Sequence, residues 1–134
     1  MKNLRYWFEN LSPESLKELS NYYSDDAFFK DPFNEINGLN KIEKIFSHMF
    51  ENLENPHFIF QDEVTQNSST FLTWDFVFTI GKTEWKIHGG SHLRFNQQGK
   101  VNYHRDYWDV GEELIAKLPV MGGAYRFFTR KLKV

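Results

Sequence analysis

The chain contains no cysteine, which excludes disulfide bridges and thiolate chemistry and fits a reducing compartment. It has no apolar run approaching the roughly 20 residues that a membrane-spanning helix requires. Its opening segment reaches Glu9 soon after Tyr6, Trp7 and Phe8, too early for the apolar region of a signal peptide. Neither sign of charge dominates, with 16 basic residues against 18 acidic ones and a formal net charge of -2. Without a basic field, nucleic acid is not an expected partner, and a membrane is not one either. There is no internal repeat, low-complexity segment or linker. The expectation is one soluble, cytoplasmic domain over residues 1–134, long enough to bury a core without disulfides or a metal.

What the chain has in quantity is aromatic rings: 14 Phe, 6 Tyr and 4 Trp, or 18% of its residues. Aromatic side chains bring large buried area with few rotors, and Tyr and Trp add a polar tip that wants a partner when buried. That composition suits a fold that walls a cavity. It also suits a tightly packed core or a dimer face.

The spacing predicts a short helix over residues 2–10, then a second over residues 13–23, with Ser12 as N-cap, Pro13 in the first turn and Glu14 at its positive end. Leu16, Leu19, Tyr22 and Tyr23 would form its buried stripe. Residues 27–33 read as extended, and Pro32 holds Asp31 on a stiff piece of chain, as a positioned base or as the start of a turn. Asn40 is the expected cap of a helix over residues 41–52, with a stripe of Ile42, Ile45, Phe46, Met49, Phe50 and Leu53. His48 falls at its flank, the expected place of a partly exposed residue.

From His57 the period changes to two. Leu72, Trp74, Phe76 and Phe78 alternate with Thr73, Asp75, Val77 and Thr79, which predicts a strand with one apolar wall. The next strand alternates Trp85, Ile87, Gly89, Ser91 and Leu93 against Lys86, His88, Gly90, His92 and Arg94, and Gly89-Gly90 suggests a bulge or bend. His88 and His92 share the face opposite Ser91 and read as a surface pair, so no metal site is expected. A short helix over residues 112–118 is expected to stop at Pro119, before a basic, aromatic tail. Helices followed by an antiparallel meander make an α+β domain. If the sheet curves strongly around the helices, the space between becomes a cone with a closed apolar end.

Residues 101–109, V-N-Y-H-R-D-Y-W-D, are the densest run of chemistry in the chain. Strand alternation puts His104, Asp106 and Trp108 on one face and Tyr103, Arg105 and Tyr107 on the other. A carboxylate two residues from an imidazole on the same face can orient it.

Residues 22–42, with Asp25-Asp26-Ala27, Asp31-Pro32 and Gly38, together with residues 92–101 and the Tyr107-Trp108-Asp109 strand end, resemble the ketosteroid isomerase and SnoaL-like proteins of the NTF2-like superfamily. The resemblance covers most of the chain. It implies a cone-shaped, cystatin-like (NTF2-like) fold with N-terminal helices packed on a strongly curved antiparallel sheet. It makes Asp31 the counterpart of the isomerase base, and Ser91 and Trp7 stand where that enzyme has its aspartic acid and tyrosine donors, with Tyr6 one residue away. It also turns His104, Asp106 and Trp108 inward, and SnoaL-like cyclases place an acidic acid/base residue on a late strand, as Asp106 would be.

Three readings follow. The first is cofactor-independent acid/base chemistry of isomerase, cyclase or lyase type on a small, partly apolar carbonyl compound. Asp31, His104 and Asp106 would be its catalytic groups, with Tyr6, Trp7, Tyr23, Phe33, Trp74, Phe76, Ser91 and Trp108 around the substrate. The second keeps the pocket and its small-molecule ligand but makes the polar residues a structural network. The third is a homodimer formed through the outer sheet face, with Arg105, Asp75 and Tyr103.

Overall fold

The computed structural model describes residues 2–132. Helix α1 (Lys2–Glu9) leads through a 3-10 turn (Ser15–Glu18) and a one-turn helix α2 (Leu19–Tyr22) into strand β1 (Tyr23–Lys30). A short strand β2 (Glu35–Asn37) and helix α3 (Leu39–Asn52) follow, then four strands: β3 (Glu54–Gln66), β4 (Ser69–Ile80), β5 (Thr83–Phe95) and β6 (Val101–Tyr107). Helix α4 (Val110–Glu113), a 3-10 turn (Ile115–Lys117) and helix α5 (Pro119–Leu132) end the described chain. Among the described residues no helix is long and apolar enough to cross a membrane.

The six strands form one sheet in the order β2-β1-β6-β5-β4-β3. Neighbours are antiparallel except β1 and β6, which run parallel. The meander β3–β6 was readable from period-two patterning; β2 and the parallel pairing were not, because they depend on where the chain returns after α3.

Several local expectations are corrected. The second helix is broken: Ser12 does bond the Ser15 N–H through its hydroxyl at 3.1 Å, but Tyr23 leaves the helix to begin β1, where it pairs with Val101. Helix α3 starts two residues early, and Gly38, not Asn40, occupies its N-cap with φ 104° and no side-chain cap bond. That φ favours glycine. Pro119 opens α5 rather than closing the preceding turn, since its fixed φ and missing N–H suit a first helical turn. The basic, aromatic tail lies largely within α5; Lys133 and Val134 fall outside the described residues.

Register shifts do occur, but not at Gly89-Gly90, where β4 and β5 pair continuously. They fall in β1 between Tyr23 and Phe28, in β3 at residues 54–57 and 60–63, and in β5 between Arg94 and Phe95. Asn55, with φ 48°, and Pro56 sit in the first β3 shift, as suits a strand at the sheet edge. Gly89 serves a close approach instead: a Cβ there would lie 2.7 Å from Trp74 Cη2 and 2.7 Å from the Tyr107 carbonyl oxygen. Gly89→Ala is therefore expected to destabilise the chain by about 1–3 kcal/mol, the cost of overpacking a filled site. Urea unfolding measures this.

The core lies between the helices and the concave sheet face. Leu4, Trp7 and Phe8 of α1, Leu16 and Leu19, and Ile42 and Phe46 of α3 pack against Tyr23, Phe29, Leu72, Leu93 and Val101. Each such side chain contributes about 1.5–3 kcal/mol by leaving water. β6 ends opposite Gly90, so the first half of β5 would keep a bare edge on that side. The following segment covers it: Glu113 accepts from the His88 N–H at 2.8 Å, and Lys117 Nζ donates to the Lys86 carbonyl at 2.7 Å.

On the outer face Asp75 is buried, 7% exposed. It accepts from Gln61 Nε2 at 2.8 Å, bonds His88 Nδ1 at 2.9 Å and lies 3.4 Å from Lys86 Nζ. Burial alone would raise its carboxyl pKa, but the His88 and Lys86 partners outweigh burial and hold it below the usual carboxylate range. A carboxyl with its folded pKa depressed stabilises the fold above the unfolded value of about 3.9 and loses that contribution as pH falls through the folded value. The wild-type melting temperature is thus expected to fall more steeply than that of Asp75→Asn as pH drops through the carboxylate range. Parallel curves would remove Asp75 from this role.

Candidate functional site

Alternation along β6 turns His104 and Asp106 toward the concave face, and pairing does the rest. Ser91 of β5 stands opposite Asp106, Leu93 opposite His104, and on β4 Leu72 stands opposite Ser91. Trp74, two residues further along β4, reaches back to donate its indole N–H to Ser91 Oγ at 2.9 Å. Ser91 Oγ donates to Asp106 Oδ1 at 2.5 Å, His104 Nε2 meets the same oxygen at 2.6 Å, and Tyr23 Oη meets His104 Nδ1 at 2.6 Å.

With the imidazole proton on Nε2, every donor in this chain finds an acceptor. Tyr23 gives its proton to His104, His104 and Ser91 give theirs to Asp106, and Trp74 gives its own to Ser91. Burial, and secondarily the charge of Asp106, push the Tyr23 phenol well above its ordinary range, so it remains a neutral O–H donor. The inner end of the network is buried: Tyr23 is 0% exposed and His104 3%. The rings of Phe29 at 4.8 Å and Phe8 at 6.1 Å pack around the imidazole.

Asp106 is the open end. Its side chain is 16% exposed, and both network bonds fall on Oδ1. No hydrogen bond from the described residues reaches Oδ2, and no fully buried side-chain polar atom among them lacks a partner. Oδ2 is therefore not fully buried.

Asp106 lines an outer groove, with Lys30, Arg105 and Tyr107, and two spaces on the inner side. A recess of about 20 Å³, near the size of one water, lies among Phe8, Phe46, Phe60 and Leu72, with Ser91, His104 and Asp106 as its polar wall. A chamber of about 250 Å³ adjoins it, sharing Phe46, Phe58, Trp74 and Asp106. Helix α3 supplies Ile45, Phe46, His48 and Met49 to its wall; the strands supply Phe58, Trp74, Phe76 and Ile87; Trp108 closes the end beyond β6. Phe33 and Trp108 meet edge to face at 5.6 Å at the rim.

Not every residue singled out from the sequence meets this space. Asp31 lies at the chamber rim, but its Oδ1 accepts the backbone N–H groups of Phe33 at 2.8 Å and Asn34 at 2.7 Å, and Asn34 Nδ2 reaches both carboxylate oxygens. The carboxylate thus fastens its own Asp-Pro turn. Tyr6 points away from the cavity and is 69% exposed. Trp7 is 3% exposed and donates its N–H to the Ser15 carbonyl at 2.9 Å, so its ring is core. Tyr23 sits beneath His104 without lining either space, while Ser91, Trp74, Phe76, Phe33 and Trp108 do line them.

The sequence reading missed the α3 wall. His48 follows Ile45 by three positions, so it shares the edge of that stripe, which was the available signal. Among the described residues no group of three or more His, Asp or Glu side chains is placed to hold a metal ion.

With this geometry in hand, the chain can be set beside known proteins. The family model for the SnoaL-like domain matches residues 4–104. No curated protein sequence matches the chain. Among solved structures, an NTF2-like protein of unknown function from Burkholderia pseudomallei aligns with TM-score 0.73 at 12% identity, covering 84% of this chain and 92% of its own. An LEH-like epoxide hydrolase from M. tuberculosis aligns with TM-score 0.71 at 14% identity, covering 84% of each chain. A protein with a ketosteroid isomerase-like fold from Catenulispora acidiphila, solved with trimethylamine, aligns with TM-score 0.70 at 16% identity, covering 84% of this chain and 88% of its own. At these identities the structural likenesses establish the α+β, NTF2-like fold and nothing finer. The sequence match goes further, and it shows that the chain belongs to the SnoaL-like domain family.

Proposed function

We propose that the chain takes a small, partly apolar carbonyl compound into the aromatic chamber and that Asp106 exchanges a proton with it, in cofactor-independent chemistry of isomerase or cyclase type. The observation that carries this reading is the asymmetry of Asp106. One oxygen is fixed by Ser91 and His104, the other has no hydrogen-bond partner among the described residues, and the side chain lines the chamber. A positioned base of this kind contributes about 10²- to 10⁴-fold to a proton transfer. His104 and Tyr23 are then positioning residues. Asp31 is the weaker candidate for the base, because three N–H groups already occupy its Oδ1. That one structural relative was solved with trimethylamine supports a small-molecule occupant.

A second reading, noncatalytic ligand binding, is favoured by a separate observation. The Ser91 hydroxyl, the Tyr23 phenol and the Trp74 indole N–H all donate within the network, which leaves none of them for an oxyanion. Deuterium exchange separates the two. Small ketones that bind the chain are incubated with it in D2O and followed by NMR. Acid/base catalysis requires exchange beside the carbonyl above the solvent rate, and its loss in Asp106→Asn. Ligands that bind without accelerated exchange leave the binding reading alone.

The outer sheet face is the surface we assign to a homodimer. Phe71 and Tyr107, 40% and 44% exposed, lie 6.5 Å apart there, beside Arg105, whose guanidinium stands 4.7 Å from the Tyr107 ring. Light scattering after size exclusion should return twice the 16.1 kDa chain mass, and Tyr107→Lys should return the monomer.

A further inference from the structure

We propose that the chamber selects a small organic cation, a protonated amine or quaternary ammonium group, over neutral and anionic molecules of the same shape. This rests on the reading of the chamber as a ligand pocket and adds the charge of what enters it. Aromatic faces present negative potential and attract a cation placed over them, most strongly where water is excluded. Here the rings of Phe33, Phe46, Phe58, Trp74, Phe76 and Trp108 wall one space of about 250 Å³.

The charges around that space are one-sided. Among the described residues Asp106 and Asp31 line it and no Lys or Arg does, with His48 the one basic side chain in the wall. Asp31 is largely satisfied by its turn, so the Asp106 oxygen without a partner is the strongest uncompensated acceptor in the wall. Lys30 and Arg105 line an outer groove that shares Asp31, Asp106 and Trp108 with the chamber. There Lys30 pairs with Glu35 at 3.3 Å and Arg105 lies over the Tyr107 ring. A carboxylate ligand in the chamber would meet two like charges and no donor cation; an ammonium would meet rings and a free oxygen. A quaternary centre has no N–H, so binding it would leave Oδ2 able to take a proton from a neighbouring carbon, and the acid/base reading is unaffected.

Three probes of nearly equal shape test this: choline, its neutral isostere 3,3-dimethylbutan-1-ol, and the anion 3,3-dimethylbutanoate. Binding is followed by ligand-observed NMR and by the fluorescence of the tryptophans. The expected result is choline binding about 10-fold or more tighter than the alcohol, in the range of a desolvated cation–π and charge contact, with the anion weakest. In Asp106→Asn the preference for choline over the alcohol should shrink while the alcohol still binds.

Equal binding of choline and the alcohol, or tighter binding of the anion, overturns the cation inference and leaves the pocket reading standing. Failure of all three to bind overturns both. If the variant does not fold, the wild-type comparison of the three probes decides by itself.

Discussion

Alanine at position 106 is expected to cost about 2–5 kcal/mol of folding stability, and asparagine at the same position about 1 kcal/mol or less. Asp106 Oδ1 is the shared acceptor for the Ser91 hydroxyl and the His104 imidazole, and these residues are 6% and 3% exposed. Alanine leaves both donors buried without a partner, at about 1–3 kcal/mol each. The amide oxygen of asparagine can stand where Oδ1 stands and accept both bonds, while its NH2 replaces the free Oδ2. Stability therefore survives in Asp106→Asn, and whatever Oδ2 does in the chamber is lost. Urea unfolding of the two variants gives the first half of this contrast. Equal losses would mean that Oδ1 is not the acceptor that holds the network.

The second large effect is expected at Trp74. It is 3% exposed, touches both the recess and the chamber, and packs edge to face against Phe58 at 5.3 Å. Trp74→Ala should cost about 3–5 kcal/mol, the range for emptying a large aromatic site. It should also merge the two spaces and weaken ligand affinity, because the wall shared by both is gone. Gly89 supplies a check on this geometry. The added methyl of Gly89→Ala clashes with the Trp74 ring and with the Tyr107 carbonyl, so part of its cost should vanish once Trp74 is alanine. A double-mutant cycle should show coupling of about 0.5–3 kcal/mol between positions 74 and 89. Simple additivity would contradict the contact.

How much of this was legible in the sequence follows from the range of the interactions involved. Period-two alternation is local, so the wall of Leu72, Trp74, Phe76 and Phe78 and the shared face of His104 and Asp106 could be read directly, while the inward direction of that face came from the family resemblance. Which residue of β5 faces Asp106 is a question of register, and nothing local distinguishes Ser91 from Gly89 as its partner. Tyr23 shows the same limit. Its spacing from Leu19 suits a helical stripe, but the chain enters the sheet at that residue, and the phenol ends beneath an imidazole 81 positions away in sequence. For Asp31 the sequence allows both a base and a turn residue, because an Asp-Pro pair serves either. The N–H groups of Phe33 and Asn34 come to it only once the loop between β1 and β2 has formed. Gly89-Gly90 was read as a bend because the rings that cross it, Trp74 and Phe71, belong to the neighbouring strand.

The central claim is that Asp106 offers one oxygen to the chamber while the protein holds the other. The most direct measurement is a crystal structure of the chain with a ligand seated in the chamber. A polar or cationic ligand atom within about 2.6–3.2 Å of Asp106 Oδ2, or cationic methyl groups packed against that oxygen, with Ser91 and His104 still on Oδ1, is the expected result. A ligand held by Asp31 instead, or an Asp106 whose two oxygens are both engaged by the protein, would contradict it.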